Sequence, residues 1–133
     1  MLLTAKLFNK KESITQRIWY SLITCAHKQK TISYRDLLKD AGNSDYNMKD
    51  LFDSLTIIGN LEEKNNRPMI NALAVSVGGL PGAGFFNWAK GVFDKKEMEK
   101  YTNEKIFELI KEDCYEFWSD DSRFLKFKDL VLF

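Results

Sequence analysis

Residues Arg67 to Phe86 read RPMINALAVSVGGLPGAGFF, and this stretch decides the fold expected of the chain. An apolar run, Met69 to Val77, meets Gly78-Gly79 and then a Leu-Pro-Gly-Ala-Gly loop that closes on Phe85-Phe86. Four of the seven glycines, Gly78, Gly79, Gly82 and Gly84, fall inside seven positions. Glycine concentrates where the backbone needs positive φ or where another group approaches it closely. The spacing therefore predicts a strand over Met69–Val77, with large residues on one face and small ones on the other. An irregular second arm, built on Gly78, Gly79, Pro81, Gly82, Gly84, Phe85 and Phe86, turns that strand into a Gly-rich β-hairpin.

Upstream, the pattern is helical. Ser13 to about Lys28 carries Ile14, Ile18, Leu22 and Ala26 at spacing four, with Ile23 widening the stripe. Thr31-Ile32-Ser33 is a short extended link, and Ser33 with Asp36 has the spacing that caps a helix over Tyr34–Asp40, ended by Gly42. A third helix begins at Ser44 or Asp45 and carries Met48, Leu51, Leu55 and Ile58, with Gly59-Asn60 as its stop. Asn65-Asn66-Arg67-Pro68 is a turn, since the residue before proline is pushed out of helix. Thr102 to Trp118 is the strongest helix, with Phe107, Ile110, Cys114 and Phe117 inward. The tail from Phe124 ends in Asp-Leu-Val-Leu-Phe, which is too apolar for a free end and should dock on the body as a strand.

Three helices followed by a hairpin predict an α+β fold with a winged-helix-like core. At 133 residues the chain is expected to be one domain (1–133), with that core over about 13–93 and the carboxy-terminal helix and docked tail over about 94–133. A composition 44% hydrophobic and 14% aromatic can fill a packed core. The start MLLTAKLFNKKES lacks the apolar stretch of a signal peptide, and no run reaches membrane-spanning length, so a cytoplasmic protein without membrane contact is expected.

The order of motifs resembles small winged-helix-like domains of bacterial and phage genomes, with a pattern of the form TYxxLA, PxLxALVV and GLPGxGFF. The matching residues are Thr31-Ile32-Ser33-Tyr34, Leu37-Leu38, Pro68 to Val75, and Gly79 to Phe86. The resemblance spans roughly Ile14 to Trp88, and it implies a setting among mobile elements and defence systems. The same region is similar to the winged-helix domain of DNA alkyltransferases, which pairs a Ser-Tyr-Gly-Glu-Leu-Ala helix start with a Pro-Cys-His-Arg strand. Here Asn71-Ala72-Leu73-Ala74 occupies that strand, with Ala72 about where the nucleophilic cysteine would stand. A thiolate nucleophile beside a histidine base is therefore not expected.

No catalytic or cofactor constellation emerges. His27 is the only histidine and reads as a surface or capping residue, too few for a multi-histidine metal site. Cys25 and Cys114 read as small core hydrophobes. The glycine loop lacks the Lys-Ser or Lys-Thr of a phosphate loop and the strand–loop–helix unit of a dinucleotide site. The expectation is a non-enzymatic protein with no cofactor, no metal and no small-molecule substrate.

Charge then argues the partner. The net charge is +1, but residues 1–39 hold eight Lys/Arg against two Asp/Glu, while residues 101–133 hold five against eight. The third helix presents Asp45, Asp50 and Asp53 against Lys49, and Met69–Phe85 contains no Lys or Arg. Phosphate contacts supply non-specific DNA affinity, so a recognition helix and wing of this kind are disfavoured on DNA. Glu104, Glu108, Glu112, Glu116 and Asp120 recur at strict spacing four along the last long helix. Like charges at that spacing oppose a helix by roughly 0.2–0.5 kcal/mol per pair. The expected function is protein–protein contact with a basic partner, as an inhibitor or immunity-type factor against a nucleic-acid-handling protein. A winged-helix DNA-binding regulator and a subunit of a nuclease or defence effector are the alternatives.

Overall fold

The computed structural model describes residues 10–42, 45–93, 95–130 and 132; the side chains of 10–13 and 95 lie outside the described set. The chain is mostly helical with one small two-stranded sheet, α+β at a coarse level. Helix α1 (Lys10–His27) runs through the centre and buries Ile14, Ile18, Trp19, Leu22, Ile23 and Ala26, the stripe its sequence spacing defines plus Trp19. Strand β1 (Ile32–Ser33) leads into α2 (Tyr34–Asp40), where the Ser33 hydroxyl accepts from the Asp36 N–H as the motif requires. Gly42, at φ 67°, leaves the helix in the left-handed region open to glycine.

Helix α3 (Met48–Lys64) begins later than its sequence suggests, because Asn47 and Asp50 exchange reciprocal backbone bonds as a capping box. Ser44 lies outside the described residues. Nor does α3 stop at Gly59-Asn60. It continues through Gly59, which is buried because a Cβ there would meet Asn71 Nδ2 at 2.6 Å and the Trp88 ring at 2.7 Å. Glycine within a helix normally costs up to about 1 kcal/mol relative to alanine, and here that cost allows two side chains to close over the backbone.

The stretch expected as a hairpin folds differently. Met69 to Val75 is buried throughout, so it has no solvent face to impose a period of two. Ile70–Leu73 closes a single 3-10 turn, and only Ala74–Val75 extends as β2. Strand β2 pairs parallel with β1, Ile32 opposite Ala74 and Ser33 opposite Val75. The second arm is a helix. Ser76 to Leu80 forms a tight loop in which the Ser76 N–H and hydroxyl both donate to the Leu80 carbonyl, and Gly79 takes φ 84°. Helix α4 (Ala83–Val92) then starts, with Gly82 as its N-cap. Gly82 has φ −71° and Gly84 lies within the helix, so neither needs the conformation that only glycine adopts. Gly78 lies in the exposed loop, Pro81 and Phe86 are buried, and Phe85 packs edge-on against Phe86.

A short α5 (Lys95–Met98) leads to α6 (Asn103–Trp118), capped by the Thr102 hydroxyl. Ile106, Phe107, Ile110, Cys114 and Trp118 face inward, and Trp118 meets Trp19 edge-to-face at 6.1 Å. Phe117 is only partly buried. The tail docks, but as helix α7 (Asp121–Phe127) followed by coil: both ends of the Gln16 amide bond to backbone at Leu130 and Leu132. Residues 131 and 133 are outside the described set. No helix of the described residues is long and apolar enough to cross a membrane.

Candidate partner-binding surface

Helix α6 buries one face and turns the other outward, and the acidic row falls on the outer one. Glu104, Glu108, Glu112 and Glu116 are all exposed. Glu108 is engaged by Lys111 at 2.9 Å. Asp120 lies beyond the helix, where its carboxylate accepts from the Arg123 N–H at 2.8 Å and caps α7. Its role is local, and it is the member of the row least available to a partner.

The third-helix acids are elsewhere. Asp50 belongs to the capping box of α3, Asp53 lies 3.8 Å from Lys49, and Asp45 is exposed before the helix. From Asp53 to Glu63 the helix rises about 15 Å at 1.5 Å per residue. The acids at the start of α3 and those beside its end therefore do not form one patch.

The end of α3 does meet α6. Glu63 lines an open groove of about 500 Å³ together with Asp113 and Glu116, over a floor that includes Met69, Ile110 and Phe117. Asp113 was not singled out by the spacing-four row, because it lies one residue off it. The sign of its environment is clear: partial loss of solvent raises its carboxyl above the ordinary aspartate range, and the charges of Glu116 and Glu112 raise it further.

Two arginines reach the same groove, and both have internal partners. Arg67 holds Glu62 with its Nε 3.0 and 3.1 Å from the two carboxylate oxygens and its Nη2 2.8 Å from Oε1. Glu62 is fully buried and also accepts from Trp19 Nε1 at 3.1 Å. Burial raises the Glu62 carboxyl, and the Arg67 bonds oppose this only in part. Arg123 donates to the Phe117 carbonyl at 2.9 Å and lies over the Phe117 ring at 4.3 Å. Glu63, Asp113 and Glu116 form no ion pair among the described residues. The groove therefore presents three carboxylates without a direct ion pair among the described residues, with the Arg123 guanidinium, bonded only to a carbonyl, in the same lining.

The residues weighed for chemistry sit in structural places. His27 is partly buried, stacked on Phe124, with Nδ1 2.9 Å from the Trp118 carbonyl oxygen and Nε2 3.3 Å from Asp121, so it ties α1 to α7. Burial raises both thiols, Cys114 most strongly, and a protonated thiol is a poor nucleophile. Comparison with family models, curated proteins and solved structures finds no match for this chain.

Proposed function

We propose that the chain acts without catalysis, by binding a protein partner whose basic side chain enters the groove between α3 and α6. The observation that carries this reading is the trio Glu63, Asp113 and Glu116 around an apolar floor, with no cation of the described chain paired to them. Asp113 is raised first by loss of solvent and then by the charges of Glu116 and Glu112; an entering lysine or arginine would offset that second contribution and lay its aliphatic stem on Ile110 and Phe117. The exposed Glu104, Glu108 and Glu112 extend the same negative field along α6 and would steer a basic partner during approach. Such complementarity suits an inhibitor or immunity-type factor directed at a nucleic-acid-handling protein, whose own site must be basic. A winged-helix reading of the core draws support from the order helix, β1, helix, helix, β2, although the glycine-rich segment that would form the wing is the start of α4. The test is affinity for the purified partner after Asp113→Asn with Glu116→Gln. A loss of about tenfold with a shallower salt dependence is expected, and unchanged affinity would place the contact elsewhere.

A further inference from the structure

The surface around the start of α4 carries almost no charge. Residues 68–89 include no Asp, Glu, Lys, Arg or His, in a chain that is 29% charged. Much of that stretch is buried, but residues 76–79, Ala83, Gly84 and Asn87 reach solvent. Beside them α3 turns Met48, Phe52 and Thr56 outward at spacing four. Lys49 and Asp53, on either side of Phe52 in sequence, lie 3.8 Å apart and are opposite in sign. Few charges together with exposed aromatic and methionine side chains are the composition of an interface core.

This face holds a hollow and a projection. The hollow is a cavity of about 240 Å³ between the starts of α2 and α4 and the middle of α3, walled by Tyr34, Phe52, Phe85 and Trp88. None of the described residues that line it is charged. Its walls are held: Tyr34 meets Phe52 edge-on at 5.1 Å and accepts from the Gly82 N–H at 2.8 Å, and the Trp88 indole donates to Asn60 Oδ1 at 2.8 Å. The projection is Val77, the most exposed of the large apolar side chains described. Its loop is tied at the base, where the Ser76 N–H and hydroxyl both donate to the Leu80 carbonyl. Leu80 stands two residues before Gly82, a wall residue of the cavity, so two Cα steps of about 3.8 Å join the loop's base to the hollow.

We infer that this face joins two copies of the chain about a two-fold axis, with Val77 of each protomer entering the aromatic hollow of the other. A two-fold interface sets one patch against itself. It therefore needs a projection and a hollow on the same face, and no charge that would meet its own like. Both conditions are met here, whereas a second copy set against the acidic face of α6 would bring like charges together. The hollow is larger than one isopropyl group, and Gly78 and Gly79 carry no side chain to hold the loop tip away from it. A stable interface takes about 800 Å² per partner, a tenth of the 8017 Å² the chain exposes. The contact must then spread past the hollow to Met48, Thr56 and Asn87, whose polar members suit a rim. This inference is independent of the acidic groove, which lies beside the far end of α3.

Sedimentation equilibrium of the full chain from about 1 μM to 1 mM measures the association. The mass should rise from 15.5 kDa to twice that, with a Kd of about 1–100 μM. Val77→Asp changes a fully exposed side chain, so the monomer keeps its fold, but it sets a carboxylate in the apolar hollow and should weaken the dimer about a hundredfold or more. Thr56→Lys places the opposite charge in the hollow's lining. An equimolar mixture of the two variants should form a heterodimer about tenfold or more tighter than the Val77→Asp homodimer, because each hollow then receives either the native valine or an aspartate facing a lysine. A crosslink from position 77 should return the chain itself and not the partner of the acidic groove. A wild-type chain still monomeric at about 1 mM overturns the inference and leaves the face to another protein or to solvent. So does a Val77→Asp variant that dimerises as the wild type does, or a mixture that forms no heterodimer.

Discussion

Removing Arg67 probes Glu62, the one buried charge among the described residues, whose carboxylate joins α3 to Trp19 of α1. Glu62 is fully buried, and its acceptor oxygens are filled by Trp19 and by three Arg67 contacts between 2.8 and 3.1 Å. In Arg67→Met the aliphatic volume remains, but the carboxylate keeps only the indole donor. Breaking a buried pair from one side costs about 3–5 kcal/mol, because the surviving charge is left uncompensated. Scaling the usual unfolding entropy to this chain, that corresponds to a fall in Tm of roughly 10–18 °C. The pH dependence has a definite sign. A carboxyl whose folded-state pKa is raised contributes stability that is fully present below its unfolded value, about 4.3, and lost as pH rises through the folded value. Burial already raises Glu62 in the wild-type chain, and removing Arg67 raises it further. The deficit of the variant should therefore be largest near neutral pH and shrink as pH falls toward 4. Urea unfolding of both proteins across pH 4 to 8 measures it. The double variant Glu62→Gln, Arg67→Met should recover much of the loss at neutral pH, since no charge is then buried. A deficit under about 1 kcal/mol, or one that does not vary with pH, would refute the reasoning.

Gly59→Ala should destabilise by about 1–3 kcal/mol despite alanine's better helix propensity, because its Cβ would overlap Asn71 and Trp88; a raised Tm in a melting scan would show that these side chains yield freely. Gly79 and Gly84 should part company. Gly79→Ala loses about 1 kcal/mol to its positive φ, whereas Gly84→Ala, inside a helix with open space around it, gains up to about 1 kcal/mol, and chemical denaturation separates the two. Glu108→Gln with Glu112→Gln removes like-charge repulsion along α6 but also the Lys111 contact, so Tm should hold or rise slightly, while the on-rate of a basic partner falls. A lower Tm with an unchanged on-rate would assign the row to the fold.

The amphipathic helices were legible because burial on one side leaves a period in the sequence. Ile14, Ile18 and Leu22 in α1, and Phe107, Ile110 and Cys114 in α6, are buried as their spacing requires. Met69 to Val75 was not legible as structure, since a segment buried on every side has no alternation to distinguish a strand from a 3-10 turn. The start of α4 was hidden for a related reason: Gly82 caps without a side chain, so no Ser, Thr, Asp or Asn marks it. Glycine enrichment signalled a special segment, but its meaning differed from one position to the next. Only Gly79 in that cluster has positive φ, and the glycine under closest steric pressure is Gly59, outside it. The acidic row of α6 could be read from spacing alone. Its junction with Glu63 and Asp113 could not, because the groove exists only once α3 and α6 meet beside the turn at Arg67.

The claim that the acidic groove binds a basic protein partner is tested most directly by site-specific crosslinking in the cells where the chain naturally occurs. A photoreactive residue replaces Glu112, exposed on α6 next in sequence to the groove-lining Asp113, and a second variant carries it in place of Val77, on the exposed loop before α4. The expected result is one protein captured from position 112 and not from 77, linked through a lysine- or arginine-rich segment, and lost when Asp113→Asn and Glu116→Gln are added. Equal capture from both positions, capture that survives those substitutions, or nanomolar sequence-selective binding of duplex DNA at about 150 mM salt would contradict the account.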